Sequence, residues 1–269
     1  MSPRTSHALA ELLIAARREG RQITALDADL VPASIADGYA VNDLVGKGLG
    51  WPALGWKIAA TTSQMQRRLR TNEPIYGRTF GRFAMTSPAR LPHAELLDPI
   101  VECEFFFRLN RDLPPRPTAY TRDTVADAVA AVHAGIEIAE CRFPLDNLPP
   151  VPAILADGAA SGRYVIGHAF DDWRRQNFAD MHVRLSVNGQ VRREGYGRDV
   201  MNDPINSLIW LANARSACGD GLASGALIST GTATGMLLAR PGDVMHAAFG
   251  DTAGVAVTFD GQAGGRLPT

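Results

Sequence analysis

The sequence predicts an α+β fold with a largely antiparallel sheet body and a helical N-terminal section. Apolar residues recur at helical spacing in the first 45 residues, whereas strand-like runs separated by Gly, Pro and Asp dominate from about residue 86 onwards. Asn188-Gly189 joins two such runs, and this dipeptide is a strong signal for a two-residue hairpin turn. We therefore divide the chain into a helical section, residues 1–85, and a sheet-containing domain, residues 86–269.

The front section is expected to contain two helices. Residues 6–18 carry apolar side chains at helical spacing, and the pattern ends before Gly20. A second helix is expected to begin at a cap formed by Ser34 or Asp37, and the glycines within residues 46–50 are expected to break it. This section has no catalytic signature of its own.

A single lysine lies among apolar residues in a predicted strand over residues 55–62. Because an isolated charge is costly to bury, Lys57 must leave the core or find a partner. Structurally, it can extend to solvent or pair with an acid. In a confined site, a lysine can also act as a general acid or base, or stabilise a developing negative charge.

An extended piece follows at residues 74–80 and contains Arg78. A guanidinium is a planar, bidentate donor that can hold a substrate carboxylate. Arg78 is therefore either a substrate-binding residue or a surface arginine.

Two carboxylates alternate within a predicted strand that extends from residue 95 to residue 109. Their neighbours are apolar, β-branched or aromatic, which is typical of a buried strand. Because alternate side chains of a strand share one face, Glu102 and Glu104 point the same way. On a buried face the pair needs a positive partner, and a hard divalent cation with oxygen ligands is the usual one. Alternatively, both acids face solvent on a half-exposed strand.

Residues 134–142, also a predicted strand, hold two further acids. Glu137 and Glu140 lie on opposite faces because their separation is odd. One of them can complete a three-carboxylate site, which suits octahedral Mg²⁺ or Mn²⁺. In the alternative interpretation, an acid of this segment pairs with Arg142.

The remaining elements are predicted from the same patterns. Helices are expected over residues 121–133 and 203–217. Strands are expected at residues 161–166, 182–187, 190–197, 227–230 and 254–259. The strand at 227–230 runs into a glycine-containing turn whose N–H groups and hydroxyls can bind an anionic oxygen; otherwise it is a simple hairpin turn.

Composition excludes several classes of protein. The chain is 46% hydrophobic and 20% charged with a net charge of -1, so it is ordinary for a globular protein and gives no sign of a nucleic-acid partner. The three cysteines are far apart and form no disulfide or zinc pattern, which favours a reducing compartment. The sequence shows no signal peptide and no apolar run of transmembrane length. We therefore expect a cytoplasmic protein without a membrane partner.

In combination and in order, these segments resemble the fumarylacetoacetate hydrolase superfamily, and within it the branch that contains 2-keto-4-pentenoate hydratases and 4-oxalocrotonate decarboxylases. The resemblance covers nearly the whole chain and implies the mixed-sheet fold of that superfamily, with a catalytic domain over residues 86–269. The motifs that carry it are PASIADGYAVNDLV, GWKIAAT, VECEFFFRLNRDLP, GIEIAECR, ADGAASGRYVIG, PINSLIWLAN and LISTGTATG.

The resemblance also implies a metal site. In the family, a Glu-x-Glu pair and a third acid hold a divalent cation, so Glu102, Glu104 and Glu137 become the proposed ligands of Mg²⁺ or Mn²⁺. The third acid of the family matches Glu137 and not Glu140. The family's lysine matches Lys57, which becomes the candidate catalytic residue.

The substrate implied by the resemblance is a small 2-oxo or 2-hydroxydienoic acid. Its pyruvate-like end is expected near the metal, with the turn after residue 229 close by. Thr230 and Thr232 are thus candidate substrate-binding residues, in addition to Arg78, whose guanidinium can hold a carboxylate. A homo-oligomer is a further expectation at the level of the family.

The implied activity is that of a hydro-lyase. The cation would stabilise an enolate of a 2-hydroxy-2,4-dienoate, Lys57 would transfer a proton or stabilise the oxyanion, and water would add at carbon 4 to give a 4-hydroxy-2-oxo acid. Decarboxylation of a 2-oxo dicarboxylate of the 4-oxalocrotonate type ranks second because it produces the same kind of enolate. Cleavage of an acylpyruvate ranks third because no histidine stands beside these motifs. A non-catalytic binder of 2-oxo acids is the remaining alternative.

Overall fold

Two β-sheets packed against each other form the body of the protein, in a computed structural model that describes residues 1–261. The helices are α1 (Pro3–Glu19), α2 (Ile35–Leu49), α3 (Ser63–Leu69), α4 (Arg122–Ala126), α5 (Val151–Ala156) and α6 (Pro204–Ala217). The strands are β1 (Ala53–Ala59), β2 (Ile75–Phe80), β3 (Ala84–Thr86), β4 (Ala89–Pro92), β5 (Ile100–Leu109), β6 (Val129–Ala139), β7 (Arg163–Ala169), β8 (His182–Val187), β9 (Gln190–Tyr196), β10 (Leu227–Ser229), β11 (Leu237–Leu238), β12 (Val244–Phe249) and β13 (Ala253–Asp260).

The larger sheet has the strand order β2-β1-β10-β5-β6-β7-β3, with β11 also paired to β5, and the smaller has the order β4-β13-β12-β8-β9. Within the described residues, parallel pairing is confined to β1–β10, β3–β7 and β4–β13. The predicted α+β class with a largely antiparallel body is thus confirmed. The predicted hairpin at Asn188-Gly189 is confirmed as well, since it joins β8 to β9.

The main core lies between the two sheets and beneath α6. Phe105 and Phe107 point from one face of β5 into this core, and the ring of Phe105 lies 5.2 Å from that of Phe249 in the smaller sheet. Leu208 and Leu211 of α6 are buried in the same core. Because strand side chains alternate, the even-numbered residues of β5 are directed to the opposite face of the larger sheet.

Within residues 1–85, α1 and α2 lie outside the sheets, whereas β1 and β2 belong to the larger sheet. Apolar side chains of α1, α2 and α5 form a second core. Arg17 of α1 reaches from this section to a buried ion pair with Asp157, at 3.1 Å, and Asp157 also holds Arg142, at 3.0 Å. Because one carboxylate is ion-paired with both guanidiniums, α1 is tied to the loop that follows α5.

Two predictions about helices need correction. The glycines at 46 and 48 do not break α2, which ends only at Gly50, where φ is 63°. Each glycine leaves room for a neighbouring side chain. A Cβ added at Gly46 would lie 3.1 Å from Arg78, and a Cβ added at Gly48 would lie 2.4 Å from Ile14. The helix expected over residues 121–133 ends at Ala126, and β6 begins at Val129. Pairing of this β-branched stretch with β5 outweighs its helical spacing.

The strand expected from residue 95 was also wrong at its start, because β5 begins at Ile100. Residues 93–95 form a 3₁₀ turn, and Pro99 has no N–H group to contribute to a sheet. In the described part of the chain, no helix has the length and apolar character needed to cross a membrane.

Candidate active site

Three glutamates meet on the face of the larger sheet that is turned away from the main core. Antiparallel pairing places Glu102 of β5 opposite Glu137 of β6, and Glu104 is two residues further along the same face. One carboxylate oxygen from each lies within 4.8 Å of the other two. Glu102 is 9% exposed and the other two are fully buried, so the solvent-exposed alternative for the pair on β5 is excluded.

Lys57 joins this cluster from β1. The short strand β10 lies between β1 and β5, with Ser229 paired to Lys57 on one side and to Phe106 on the other. Residues that are paired across strands share a face, so Lys57 points to the same side as the glutamates. Its Nζ atom lies 3.1 Å from Oε1 of Glu137, and the residue is only 2% exposed. Lys57 therefore stays in the interior and pairs with an acid, which is one of the two alternatives that the sequence left open for it.

Burial and mutual repulsion set the protonation of the cluster. Burial, opposed by Lys57, raises the pKa of Glu102 to about 7. Burial and the neighbouring carboxylates also raise the pKa of Glu104 well above its usual range, and burial raises that of Glu137. For Lys57, burial lowers the pKa, but the adjacent carboxylates outweigh this effect and raise it above the ordinary value, so the amine holds its proton.

The donor set fits a divalent cation. Three carboxylates and one ammonium leave a net charge of -2 when all are ionised, which a divalent ion would balance. Oε1 of Glu104 is buried and has no hydrogen-bond partner within the described residues, as expected of an atom reserved for a ligand. Carboxylate oxygens are also the donors that hard cations prefer.

Sequence reasoning missed a serine that holds two of these acids. The Ser229 hydroxyl donates to Oε2 of Glu104 and lies 3.2 Å from Oε2 of Glu137. The N–H group of Gly231 donates to the same oxygen of Glu104, at 2.9 Å. The turn after β10 therefore binds an anionic oxygen, as one of the two sequence alternatives stated, but this oxygen belongs to Glu104 and not to a ligand.

The threonines of this turn are arranged differently. Thr230 is fully buried, and its Oγ1 lies 3.5 Å from the carbonyl oxygen of Gly231. The Thr232 hydroxyl is half-buried and donates to the carbonyl oxygen of Gly235, at 3.0 Å. Gly231 itself has φ of +97°, and a Cβ at this position would lie 2.6 Å from the Thr61 side chain. The turn thus requires glycine at position 231.

A second missed residue is Tyr164 on β7, which is paired with Glu137. Its hydroxyl lies 3.5 Å from Oε1 of Glu137 and 3.0 Å from the hydroxyl of Ser161. Both side chains are buried. No local pattern in the sequence marks Tyr164 or Ser161 as a site residue, because only the pairing of β6 with β7 brings them to the site.

Glu140 does not join the cluster, in agreement with the choice of Glu137. It forms an ion pair with Arg163, at 3.1 Å, and accepts a hydrogen bond from the N–H group of Leu97, at 3.0 Å. The expected alternative, an acid of this segment paired with Arg142, was wrong because the side chain of Arg142 pairs with Asp157.

Arg78 is not brought to the glutamates. It is paired across β1 and β2 with Trp56, which precedes Lys57 and thus points to the opposite face of the sheet. Its guanidinium lies 4.6 Å from the indole of Trp56 and 3.6 Å from Asp43.

Comparison with known proteins agrees with this geometry. The sequence model described as "Fumarylacetoacetate (FAA) hydrolase C-terminal" matches residues 58–259. The chain belongs to the fumarylacetoacetate hydrolase family. The resemblance found in the sequence motifs is therefore confirmed, and the family match includes all three glutamates.

Similar members of the fumarylacetoacetate hydrolase family include hydratases. A 2-keto-4-pentenoate hydratase of Paraburkholderia xenovorans (strain LB400) is 29% identical over 263 residues, or 97% of each chain. A 2-hydroxyhexa-2,4-dienoate hydratase of Comamonas testosteroni is 28% identical over 86% of this chain and 88% of its own.

The family fold is also seen in a solved structure of 4-oxalocrotonate decarboxylase from Pseudomonas putida G7, complexed with magnesium and adipate. It has a TM-score of 0.88 and 23% identity, and the match covers 96% of this chain and 98% of that chain. This likeness confirms the predicted fold of the superfamily.

Proposed function

We propose that this member of the family is a metal-dependent hydratase. It adds water to a 2-hydroxy-2,4-dienoate to give a 4-hydroxy-2-oxo acid. The observation that carries the proposal is the buried cluster of three carboxylates with Lys57 paired to one of them. The names of the similar hydratases, whose matches cover up to 97% of this chain, support the same reaction.

The cofactor that we propose is Mg²⁺ or Mn²⁺, held by Glu102, Glu104 and Glu137. When bound, such an ion supplies Lewis-acid stabilisation of negative charge on the 2-oxygen of the substrate. Ser229 and the N–H group of Gly231 keep Glu104 in place through hydrogen bonds to one of its oxygens, which leaves the other free to bind a ligand.

Lys57 acts as the proton donor or as the positive charge that stabilises an oxyanion. It holds its proton because the carboxylates outweigh the effect of burial on its pKa. Protonation of the far carbon of a dienoate requires an acid, and Lys57 supplies one within 3.1 Å of Glu137. Because Lys57 is almost fully buried, bulk water cannot compete for this proton.

Glu102 is the most exposed of the three acids, at 9%, and we therefore propose that the substrate approaches the cluster from its side. Thr230 and Thr232 lie on the turn that follows Ser229, and we retain them as candidates for binding the pyruvate-like end of the substrate. We further propose that the protein is cytoplasmic and assembles as a homo-oligomer, as the family resemblance implies.

Decarboxylation of a 2-oxo dicarboxylate of the 4-oxalocrotonate type is the second candidate. The same cluster would stabilise the enolate that loss of CO₂ produces. The fold shared with a 4-oxalocrotonate decarboxylase over 96% of this chain keeps this candidate ahead of acylpyruvate cleavage.

The deciding experiment follows the ultraviolet absorbance of freshly prepared 2-hydroxypenta-2,4-dienoate with the enzyme and Mg²⁺ or Mn²⁺, with and without EDTA. We expect metal-dependent loss of the dienoate and a product heavier by one water in mass spectrometry. Turnover of 4-oxalocrotonate with release of CO₂, but none of the dienoate, would replace the hydratase proposal by the decarboxylase. No turnover of either compound by metal-loaded protein would favour a non-catalytic binder.

A further inference from the structure

A cavity lies beside β1, the strand that carries Lys57, on the face opposite to the Lys57 side chain. Its volume is about 430 Å³, within the usual range for small-molecule sites. Trp56, Arg78 and Arg215 line it, together with residues 53–55, 220–221 and 223–226. Because Trp56 and Lys57 are consecutive in β1, they point to opposite faces of the sheet, so this cavity is separate from the glutamate cluster.

Two guanidiniums lie against the indole of Trp56 in this cavity. Their central carbons are 4.6 Å (Arg78) and 4.3 Å (Arg215) from the ring centroid. Arg215 also donates to the hydroxyl of Tyr76, at 3.3 Å. These contacts hold both positive groups in defined positions beside the indole, where both line the cavity.

The charge of Arg215 is only partly compensated by the protein. Its side chain is 4% exposed, whereas that of its ion-pair partner Asp220 is 61% exposed. The Nε–H group of Arg215 is buried without an acceptor in the described part of the chain. A buried guanidinium whose ion-pair partner is exposed is incompletely neutralised, and an anion bound where Arg215 lines the cavity would complete the neutralisation.

Arg78 is likewise available. The carboxylate that the structure places nearest to it, Asp43, is 3.6 Å away and its side chain is 43% exposed. An exposed pair at this distance contributes little and is readily exchanged for a better-aligned anion. The two arginines can therefore act together on one ligand.

We propose that this cavity binds a small organic carboxylate between Arg78 and Arg215. Guanidinium and carboxylate groups match as planar, bidentate partners. The walls also include Leu54, Ala223 and Ala226, which offer apolar contact to the remainder of the ligand. An organic acid with a short apolar chain fits both features better than an inorganic anion does.

The proposal can be tested independently of catalysis. EDTA removes the ion that would hold a carboxylate at the glutamate cluster, and a Lys57 variant separates any remaining binding there from binding in the cavity beside Trp56. The test is a calorimetric titration of full-length, EDTA-treated protein with sodium pentanoate and, separately, with sodium phosphate.

For the unmodified protein we expect saturable 1:1 binding of pentanoate with a Kd of about 1 mM or lower, and phosphate binding weaker by about tenfold or more. Arg215→Met and Arg78→Met should each weaken pentanoate binding by about tenfold or more, because each removes a charge-assisted hydrogen bond. Arg78 is the second variant should the buried Arg215 prove essential for folding, which circular dichroism would reveal.

Two control variants complete the design. Arg192→Met removes an exposed arginine outside the cavity and should leave the pentanoate Kd unchanged. Lys57→Met alters the opposite face of β1 and should also leave it unchanged. Three outcomes would overturn the proposal: unsaturable binding, pentanoate binding by both cavity variants that is as tight as that of the unmodified protein, or loss of binding only in Lys57→Met. Phosphate binding as tight as that of pentanoate would overturn the assignment to an organic acid.

Discussion

Lys57 determines the charge balance of the candidate active site. Three buried carboxylates without a positive neighbour would repel one another strongly, and its ammonium offsets part of this repulsion through Glu137. Lys57 thus has two roles that can be separated by experiment. It stabilises the cluster, and it is the proposed proton donor.

Replacing Lys57 by Met should abolish turnover while metal binding persists. We expect a decrease in kcat of at least about a hundredfold, the usual contribution of general acid–base catalysis. Mn²⁺ affinity, measured by calorimetry, should stay the same or increase, because removal of a positive charge favours a cation. Lys47→Met is a matched control since Lys47 is exposed on α2, and it should leave both quantities unchanged. Normal turnover by Lys57→Met would refute the assigned role.

Glu104→Gln should affect metal binding and folding in opposite directions. We expect Mn²⁺ affinity to fall by at least about tenfold, because one anionic ligand is lost. In EDTA the free energy of unfolding should stay the same or rise, since a neutral amide is less costly to bury than a carboxylate. Calorimetry and urea denaturation measure the two effects.

The control for this variant is Glu140→Gln. It removes a carboxylate that is also buried but pairs with Arg163, so Mn²⁺ affinity should not change. If Glu104→Gln bound Mn²⁺ as tightly as the unmodified protein does, the ligand assignment would be wrong.

At the level of elements, strand pairing assembles the site from distant parts of the chain. The side-by-side arrangement of Glu102 and Glu104 could be predicted, because the two-residue period of a strand determines it. The positions of Lys57 and Ser229 could not, since they depend on the register of β1 against β10 and of β10 against β5. Local spacing holds no information about such pairing, and Ser229 was missed for this reason.

The same limit explains the wrong helix over residues 121–133. Its apolar residues fit a helical period, yet Val129 and Val132 are paired with Leu109 and Phe107 of β5. The strand β12 was not predicted at all, although it lies in the middle of the smaller sheet. In both cases, long-range pairing decides a structure that local patterns leave open.

Gly231 is the position in the turn after β10 where an added methyl group should cost most. Gly231→Ala would combine backbone strain at φ of +97° with a 2.6 Å approach to Thr61. We expect a loss of about 2–3 kcal/mol in the free energy of unfolding, measured in urea. Mn²⁺ affinity should fall as well, because the N–H group of Gly231 holds Glu104.

Gly235→Ala is the matched control in the same turn. Its φ is also positive, at 75°, but nothing lies within 4 Å of an added Cβ. We therefore expect a loss of only about 1 kcal/mol, from backbone strain alone, and an unchanged Mn²⁺ affinity. If the two variants lost equal free energies of unfolding, the close approach to Thr61 would not contribute to the loss.

At the scale of the whole molecule, the fold places the three glutamates on one face of the larger sheet and the main apolar core on the other face. The core between the sheets holds the structure together, whereas the reverse face of the larger sheet holds the acids. The α+β class and its antiparallel body could be predicted from patterning, because hydrophobic alternation determines which residues form strands. The packing of the two sheets could not.

Binding of a cation should stabilise the whole protein. A ligand that binds only the folded state at one hundred times its Kd contributes about 2.7 kcal/mol. We expect the Tm to rise when Mn²⁺ or Mg²⁺ is added to EDTA-treated protein and to return when EDTA is restored, as followed by differential scanning calorimetry. The same addition should raise the Tm of Glu104→Gln by less, because a tenfold weaker affinity lowers this contribution to about 1.4 kcal/mol. If the Tm of the unmodified protein did not change when the metal is added, the proposed cofactor would be wrong.

The buried contact between Arg17 and Asp157 has a practical consequence for anyone who shortens this protein. Asp157 precedes Ser161, whose hydroxyl contacts Tyr164, and Tyr164 in turn contacts Glu137. Trimming residues 1–19 would remove one of the two arginines that hold Asp157 and would uncover the apolar side of α2. The first helix is therefore part of the support of the candidate active site, and an affinity tag is better added in front of it than put in its place.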